Sequence, residues 1–589
     1  MSFSFKCLSH YSVGDAFNHV KKLVKTAKKQ GWSTVVLSDN HTLSGIAELF
    51  EQCEKAQLKP VIGCNYRLPD GKFITLYALN KVGYQNLVRI LGKSTVGENK
   101  LPCIRLQDIA PHTEGTLLVL GDVNSVVENG PPSKELAELI KSFGSNAVGL
   151  LTNYGDETES VRNDIIRDKF RLPRLVTSTP CFYPEAEDVI CQQIVNADAV
   201  KQTLAEYKED PQHYLGLLHH NVNTAWIQPV SAYTNPLDWF TNLVEVYSIK
   251  HKPLVPKWSN NAMAEIRDLC REGWKQRGLV TFLKNKPALK QVYTDRILME
   301  LDVFEKAGLA DYMLIIRDVI QFCHKNHSLV GLRGSASGCL VSYLIGISDI
   351  DPVIPDPTLD YHPNRSLVFE RFFNKARADS FPDIDIDLCP SFRKEVKEYL
   401  TEKYGTENVA QYIVTYNRYD GKGVLQDVCR VLGGIAPDVA LEMSSNILTK
   451  DKIQDDLEDL RSEKPDYTTL EYNIDHFPIV KQWYNEYKYE FDIAIRMSDT
   501  ISSVGKHAAG MVISPVKIRE TFPIVLGENN ETILGLEMKY AEAVGAVKYD
   551  LLCVSAYEKI NQILYMINNG LKEPINVEKF EEDDEGTES

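Results

Sequence analysis

The chain has 589 residues, 65 Lys+Arg against 81 Asp+Glu, a formal net charge of −16, 43% hydrophobic and 25% charged residues. This composition excludes a coiled coil, a disulfide-stapled miniprotein and a chain too polar to fold, and at ~150 residues per domain the length allows roughly four domains. Twelve scattered Cys without zinc-type spacing, a start without a signal-peptide pattern and no run of about 18 apolar residues point to a cytoplasmic protein with reduced thiols.

Residues 14–29 place Phe17, Val20, Leu23, Val24 and Ala27 on one helical face, with Ser12 and Asp15 ahead of them as a candidate capping box. Strand-like runs follow at 34–37, 60–63, 73–77, 116–120 and 174–177, with a helical stretch at 47–56. Strands alternating with helices predict an α/β sheet or barrel. Residues 261–328 read as mainly helical, and a Gly-rich turn and an apolar stretch occupy 331–350. An acidic strand lies around Asp383, 391–500 are again largely helical and charged, and strand-like runs return at 511–513 and 546–549. The last twelve residues carry seven acids and one Lys and read as a solvated, disordered tail.

Three motifs carry chemistry. In the run 381–388, FPDIDIDL, a strand would turn Asp383, Asp385 and Asp387 to one face and the Ile and Leu side chains to the other. Three carboxylates in register repel one another unless a cation neutralises them, and hard oxygen ligands suit Mg²⁺. A solvated acidic face is the alternative for this motif taken alone. In GLRGSASGCLVSY (331–343), small residues and Arg333 precede a helix-like run, so free N–H groups, hydroxyls and a helix dipole could cradle phosphates. It lacks the G-K-[ST] of a Walker A loop, and a turn capping a buried helix is the alternative. In GAVKYDLL (545–552), Lys548 and Asp550 share one strand face, which in isolation is a surface ion pair. Together these residues supply the parts of two-metal phosphoryl transfer.

In order along the chain, GLRGSASGCLVSYLIGISDIDP, LVFERFFN, FPDIDIDLCPSFRKEV, QDVCRVLG, GKHAAGMVISP and AVKYDLL resemble the alpha subunit of bacterial DNA polymerase III, a C-family replicative polymerase. HYSVGDAF, LSDNHTLSG and KPVIGC resemble its N-terminal PHP domain. The resemblance implies an α/β multidomain chain. Its parts would be a PHP-type α/β barrel at 1–262, a polymerase β-like nucleotidyltransferase palm at 263–414 and 506–570, a helical thumb at 415–505 and an acidic tail at 571–589. It implies that Asp383, Asp385 and Asp550 bind two Mg²⁺ and are catalytic, with Asp387 held in reserve. Arg333, Gly334, Ser335, Arg371 and Lys548 would face the incoming nucleotide. Lys403, Arg418, Lys422 and Arg430 are candidates for gripping duplex through its phosphates, with a solvated surface charge the alternative for each.

Two departures stand out. Where metal-binding PHP domains have His, Asp and Glu ligands, this chain has Lys6, Leu8, Asn40, Asn65, Thr179 and Cys181, with Asp39 the remaining acid, so no PHP metal and no phosphoesterase activity are expected. His10 and His41 lie near these positions without restoring a ligand set, and His219 and His220 read as surface or packing residues. After Asp550 the family continues into fingers, a clamp-binding peptide and an OB-fold. Here the family's D-x-L-G-L reads DLLCV, and about forty residues remain. The implied function is the N-terminal part of a DNA-directed DNA polymerase in a bacterial cell or phage-infected host. Its partners would be primer-template DNA, dNTPs, a second polypeptide supplying the fingers and, as further candidates, a sliding clamp or proofreading exonuclease. An inactive structural or decoy subunit is the alternative, which retention of the acids and the Arg-Gly-Ser turn disfavours.

Overall fold

The structure is a computed structural model that describes residues 7–98, 100–121, 125–127, 131–151, 157–177, 185–209, 238–356, 358, 360–373 and 381–568. Lys6, Thr179, Cys181, His219, His220 and the acidic tail lie outside these residues. The chain divides into two compact units, one of Met1–Lys250, Ile413–His507 and Ile518–Val544, the other of His251–Tyr412, Ala508–Lys517 and Gly545–Ser589. The architecture is mixed α/β in both. No helix among the described residues is long and apolar enough to cross a membrane.

The first unit is built on a six-stranded sheet in the order Thr34–Asn40, Lys59–Arg67, Phe73–Ala78, Thr116–Gly121, Ala147–Leu151 and Arg174–Thr177. The first and last two pairings are parallel, and those on either side of Phe73–Ala78 are antiparallel. Among the described residues no pairing joins the two edge strands. Every residue of Thr34–Asn40 is buried, the continuous pattern of a strand covered on both faces. The amphipathic helix begins later than its periodicity suggests, at Val20, with His19 as an uncapped N-terminal residue. Ser12 does not cap it: its hydroxyl donates to Asp39 and accepts from the Asn40 N–H.

The same unit contains a four-stranded sheet (Ile501–His507, Tyr412–Arg418, Thr532–Leu534, Ile524–Leu526) and a set of short helices between 421 and 497. Their ends obey local rules. Gly433 closes Gly421–Leu432 at φ +73°, Pro437 opens the next helix, and Thr468 and Glu471 form a capping box. Val424, Leu425, Val428, Leu470 and Phe491 pack with Phe17, Ile194 and Val195 in one core.

The second unit carries a five-stranded sheet ordered Val409–Ala410, Gly510–Ile513, Lys548–Cys553, Asp385–Leu388 and Val330–Arg333. The helices Ala262–Gln276, Pro287–Ala307 and Ala310–Lys325 supply the other side of its core. Asn261 caps the first through its side chain, and Gly308 ends the second in the left-handed conformation that a β-carbon would strain. Ile384, Ile386, Leu388, Tyr549 and Leu551 are all buried in this core. That fixes the register: an alternating strand that buries its Ile and Leu face must turn its Asp face the other way.

Candidate active site

Asp385 lies directly beside Asp550 in the parallel pair formed by Asp385–Leu388 and Lys548–Cys553, and directly opposite Arg333 in the antiparallel pair on the other side. Asp383 enters two residues before Asp385. Carboxylate oxygens of Asp383, Asp385 and Asp550 lie within 4.8 Å of one another, the one such group of three acidic, His or Cys ligands among the described residues. Asp383 is exposed, Asp385 half-buried and Asp550 buried. The strand is shorter than the sequence suggests, beginning at Asp385, yet the alternation carries Asp383 onto the same face.

The cluster gathers more negative charge than its neighbours neutralise. Burial, then the charges of Asp383 and Asp550, push the Asp385 carboxyl above its usual range. Asp550 Oδ1 is buried without a hydrogen-bond partner in the protein, a costly state for a carboxylate oxygen. Lys548 is the internal counter-charge, with its ammonium paired to Asp550 and 3.4 Å from Asp383. Burial opposes that ammonium's charge, but bonds to the two Asp residues outweigh it and raise its pKa. One lysine cannot neutralise three acids. The residues present therefore fit divalent cations, with Asp383, Asp385 and Asp550 as the holders.

Asp387 is a different case. Both of its oxygens are taken by Arg333, whose Nε and Nη2 donate at 3.0 and 2.8 Å in a fork. The reserve acid is thus an arginine partner, outside the three-carboxylate group.

The Gly-Ser segment is a 3₁₀ turn, Gly334–Gly338, between the strand ending at Arg333 and the short helix Leu340–Leu344. Gly334 sits at φ +81°, where a side chain would be strained. The N–H groups that open the helix are not available to phosphates. Glu300, fully buried, accepts from the N–H groups of Leu340 (3.1 Å) and Val341 (2.8 Å) and pairs with Arg296 Nε, while Arg296 Nη2 donates to the Gly338 carbonyl. The expected helix-terminus cradle is therefore occupied from behind by a carboxylate, and the turn itself, with exposed Arg333 and Gly334 and half-buried Ser335, remains the outward part. Arg371 is exposed in the Phe369–Arg371 turn. A β-carbon on Gly338 would meet the Val368 carbonyl at 3.0 Å, so the two turns are in contact.

Sequence reasoning did not single out Arg296 and Glu300 as the inner clamp of the turn. A charged pair four apart in an otherwise apolar helix face was the available signal. It also missed Tyr557, whose hydroxyl stands 2.2 Å from where a Gly331 β-carbon would be. Of the four basic residues expected to meet duplex, Lys403 pairs with Asp318, Arg418 with Glu537 and Arg430 with Asp198, whereas Lys422 is exposed.

The PHP positions form a hydrogen-bonded polar core. Buried Asp39 accepts from the Ser9 N–H (2.6 Å), the Ser9 hydroxyl (2.8 Å) and the Ser12 hydroxyl (2.7 Å). Asn65 donates to Asn40 Oδ1, Asn40 donates to Asp15, and Leu8 is fully buried. His41 Nδ1 accepts from the Arg67 N–H and its Nε2 meets the Ser94 hydroxyl; burial lowers its pKa to about 3.

The family description "Bacterial DNA polymerase III alpha NTPase domain" matches residues 264–553, and "PHP domain" matches residues 4–151. The chain belongs to the bacterial DNA polymerase III alpha family. Proteins named DNA polymerase III subunit alpha align along nearly its whole length. That of Ureaplasma parvum is 28% identical, covering 95% of this chain and 51% of the relative. That of Pseudomonas fluorescens is 27% identical over 95% and 48%, and that of Vibrio cholerae 27% over 98% and 50%. The chain thus spans about half the length of the curated polymerase III alpha relatives it matches.

Proposed function

We propose that this chain carries the catalytic part of a DNA-directed DNA polymerase, joining the α-phosphate of a dNTP to a primer 3′-hydroxyl with release of pyrophosphate. In this reading 263–414 and 506–570 form the palm, 415–505 the thumb, and 1–262 a PHP domain that works without metal, its acid already engaged by Ser9 and Ser12. The observation that carries the reading is the group of Asp383, Asp385 and Asp550, gathered from two paired strands with one buried oxygen lacking a donor.

Asp383, Asp385 and Asp550 would hold two Mg²⁺, which when bound supply charge neutralisation on the triphosphate and a more acidic primer hydroxyl. The chain's own residues do the rest. Asp385, wedged between its two acidic neighbours, binds on the side the core does not occupy. Lys548 pairs with Asp550 and stands ready for a phosphate oxygen. Arg333 and Arg371 offer guanidinium donors along the edge of the Gly334–Ser335 turn, where a chain without a β-carbon at Gly334 lets a phosphate approach the backbone. A fingers-bearing segment, on a second polypeptide or the same one, completes the nucleotide pocket and grips the template.

Two measurements test this. Mg²⁺-dependent dNTP binding is followed with the chain alone, and primer extension with the chain plus a fingers-bearing segment of a relative. Binding and extension, both lost in Asp385→Asn, are expected. Extension that survives Asp385→Asn, or the absence of any Mg²⁺-dependent dNTP binding, overturns the reading.

A further inference from the structure

The acidic strand poses a problem that its own geometry answers. Arg333 stands directly opposite Asp385, the nearest carboxylate across the antiparallel pair, where side chains of opposite charge ordinarily join. It reaches instead along the diagonal to Asp387, two residues on, and closes both hydrogen bonds of its fork there. Had it taken Asp385, a guanidinium would occupy the oxygens that complete the three-carboxylate group.

Asp387 is suited to hold it. Its side chain is 9% exposed and that of Arg333 58%, so the acid is the fixed partner and the arginine the one that faces outward. Opposite Asp387 in register is Gly331, and the Tyr557 hydroxyl fills the space a side chain there would take. The carboxylate is therefore walled on that side and offers its oxygens towards Arg333. A guanidinium has five N–H donors in a rigid plane, and Asp387 engages two. The remaining donors belong to an exposed side chain that directly precedes the Gly334 turn.

We propose that Asp387 is a positioning residue: it draws Arg333 away from the metal-binding Asp385 and sets its free N–H donors towards the phosphates of an incoming nucleoside triphosphate. This deepens the polymerase reading and rests on it. Asp387 touches neither metal nor nucleotide, and its effect passes through Arg333.

The test uses the full chain, a fluorescent dNTP and an Mg²⁺ titration, with thermal melting as a check on folding. Asp387→Asn is expected to weaken triphosphate binding about tenfold and to raise the Mg²⁺ concentration for half-saturation, because the released guanidinium competes for Asp385. Asp387→Glu, which restores the charge, is expected to recover most of both. Arg333→Gln weakens triphosphate binding but leaves the Mg²⁺ requirement at the wild-type level, and adding Asp387→Asn to it changes neither value further. Arg333→Lys keeps the charge on this exposed side chain but loses the fork while Asp387 remains. It is expected to raise the Mg²⁺ requirement, and it decides the matter alone if Asp387→Asn fails to fold. Wild-type behaviour of Asp387→Asn or, where that variant does not fold, of Arg333→Lys overturns the proposal. So does a further loss of Mg²⁺ affinity when Asp387→Asn is added to Arg333→Gln, which would make Asp387 a metal ligand. If Asp383→Asn leaves nucleotide binding intact, the polymerase site itself is wrong, and that result is separate from any Asp387 outcome.

Discussion

Asp39 and Asp550 are both buried aspartates, and the protein treats them in opposite ways. Asp39 accepts three donors from Ser9 and Ser12 within a core of Asn40, Asn65 and His41 that satisfies itself. Asp550 has one oxygen against Lys548 and the other against no donor, with two more carboxylates facing it. The first arrangement is closed chemistry, in which a ligand would have to break bonds already made. The second is open, and a cation entering it would relieve repulsion and supply the missing partner. A buried acid alone therefore says little about function, and the state of its lone pairs says a great deal.

The largest expected effect breaks the open site. On the proposed polymerase reading, Asp385→Asn or Asp550→Asn removes a metal holder worth several kcal/mol in the transition state, so extension by the completed enzyme is expected to fall on the order of a thousandfold. Single-turnover extension at saturating primer-template checks it. Next comes Glu300, which resembles Asp39 in being satisfied but lies behind the Gly334–Gly338 turn. Glu300→Gln leaves Arg296 without its counter-charge and puts an amide donor near the N–H groups of Leu340 and Val341, so a loss of about 3 kcal/mol in urea unfolding is expected. A smaller effect falls on the cluster's own counter-charge. Lys548→Gln is expected to slow extension about 10- to 100-fold, with part of the loss recovered at higher Mg²⁺ because the cations then neutralise Asp383 and Asp550 unaided.

Much of this contrast was legible in the amino-acid order, and its limits have physical causes. The alternation in FPDIDIDL assigned the Asp and Ile residues to opposite faces, and Ile384, Ile386 and Leu388 are buried accordingly. Strand runs at 34–37, 60–63, 73–77 and 116–120 fell inside observed strands because their β-branched and aromatic content is a local signal. Ala147–Leu151 was missed: its five small and apolar residues carry no period. What no local pattern could supply was the partner of each polar group. Ser12 looks like a helix cap until Asp39, far along the chain, claims its hydroxyl. The turn after Arg333 looks like an anion cradle until Glu300 takes the N–H groups behind it. Asp387 looks like a third ligand until strand pairing brings Arg333 within its reach. Each depends on long-range register, which propensity and spacing do not encode.

The smallest effect probes the closed site, and pH separates it from the open one. Burial, opposed by the bonds from Ser9 and Ser12, raises the Asp39 carboxyl from 3.8 to about 7. The folded chain therefore binds this proton more readily than the unfolded one. The stability that follows is present in acid and is lost as pH rises from about 4 through 7, as the buried group becomes charged. Asp39→Asn cannot ionise; its Oδ1 still accepts from the Ser9 N–H and the Ser12 hydroxyl, while its amide N–H meets the Ser9 hydroxyl, which must turn to accept, a cost of about 1 kcal/mol that does not vary with pH. The variant is thus expected to gain stability relative to wild type between pH 5 and pH 8, as wild type loses what the protonated Asp39 contributed. Buried His10 and His19, whose pKa values burial lowers, titrate alike in both proteins and cancel in the difference. Urea unfolding at the two pH values measures the difference, and a difference that stays constant or moves in favour of wild type as pH rises contradicts the argument. Mg²⁺-dependent dNTP binding by Asp39→Asn should stay within about twofold of wild type at pH 8, because Asp39 is not among the three grouped carboxylates Asp383, Asp385 and Asp550.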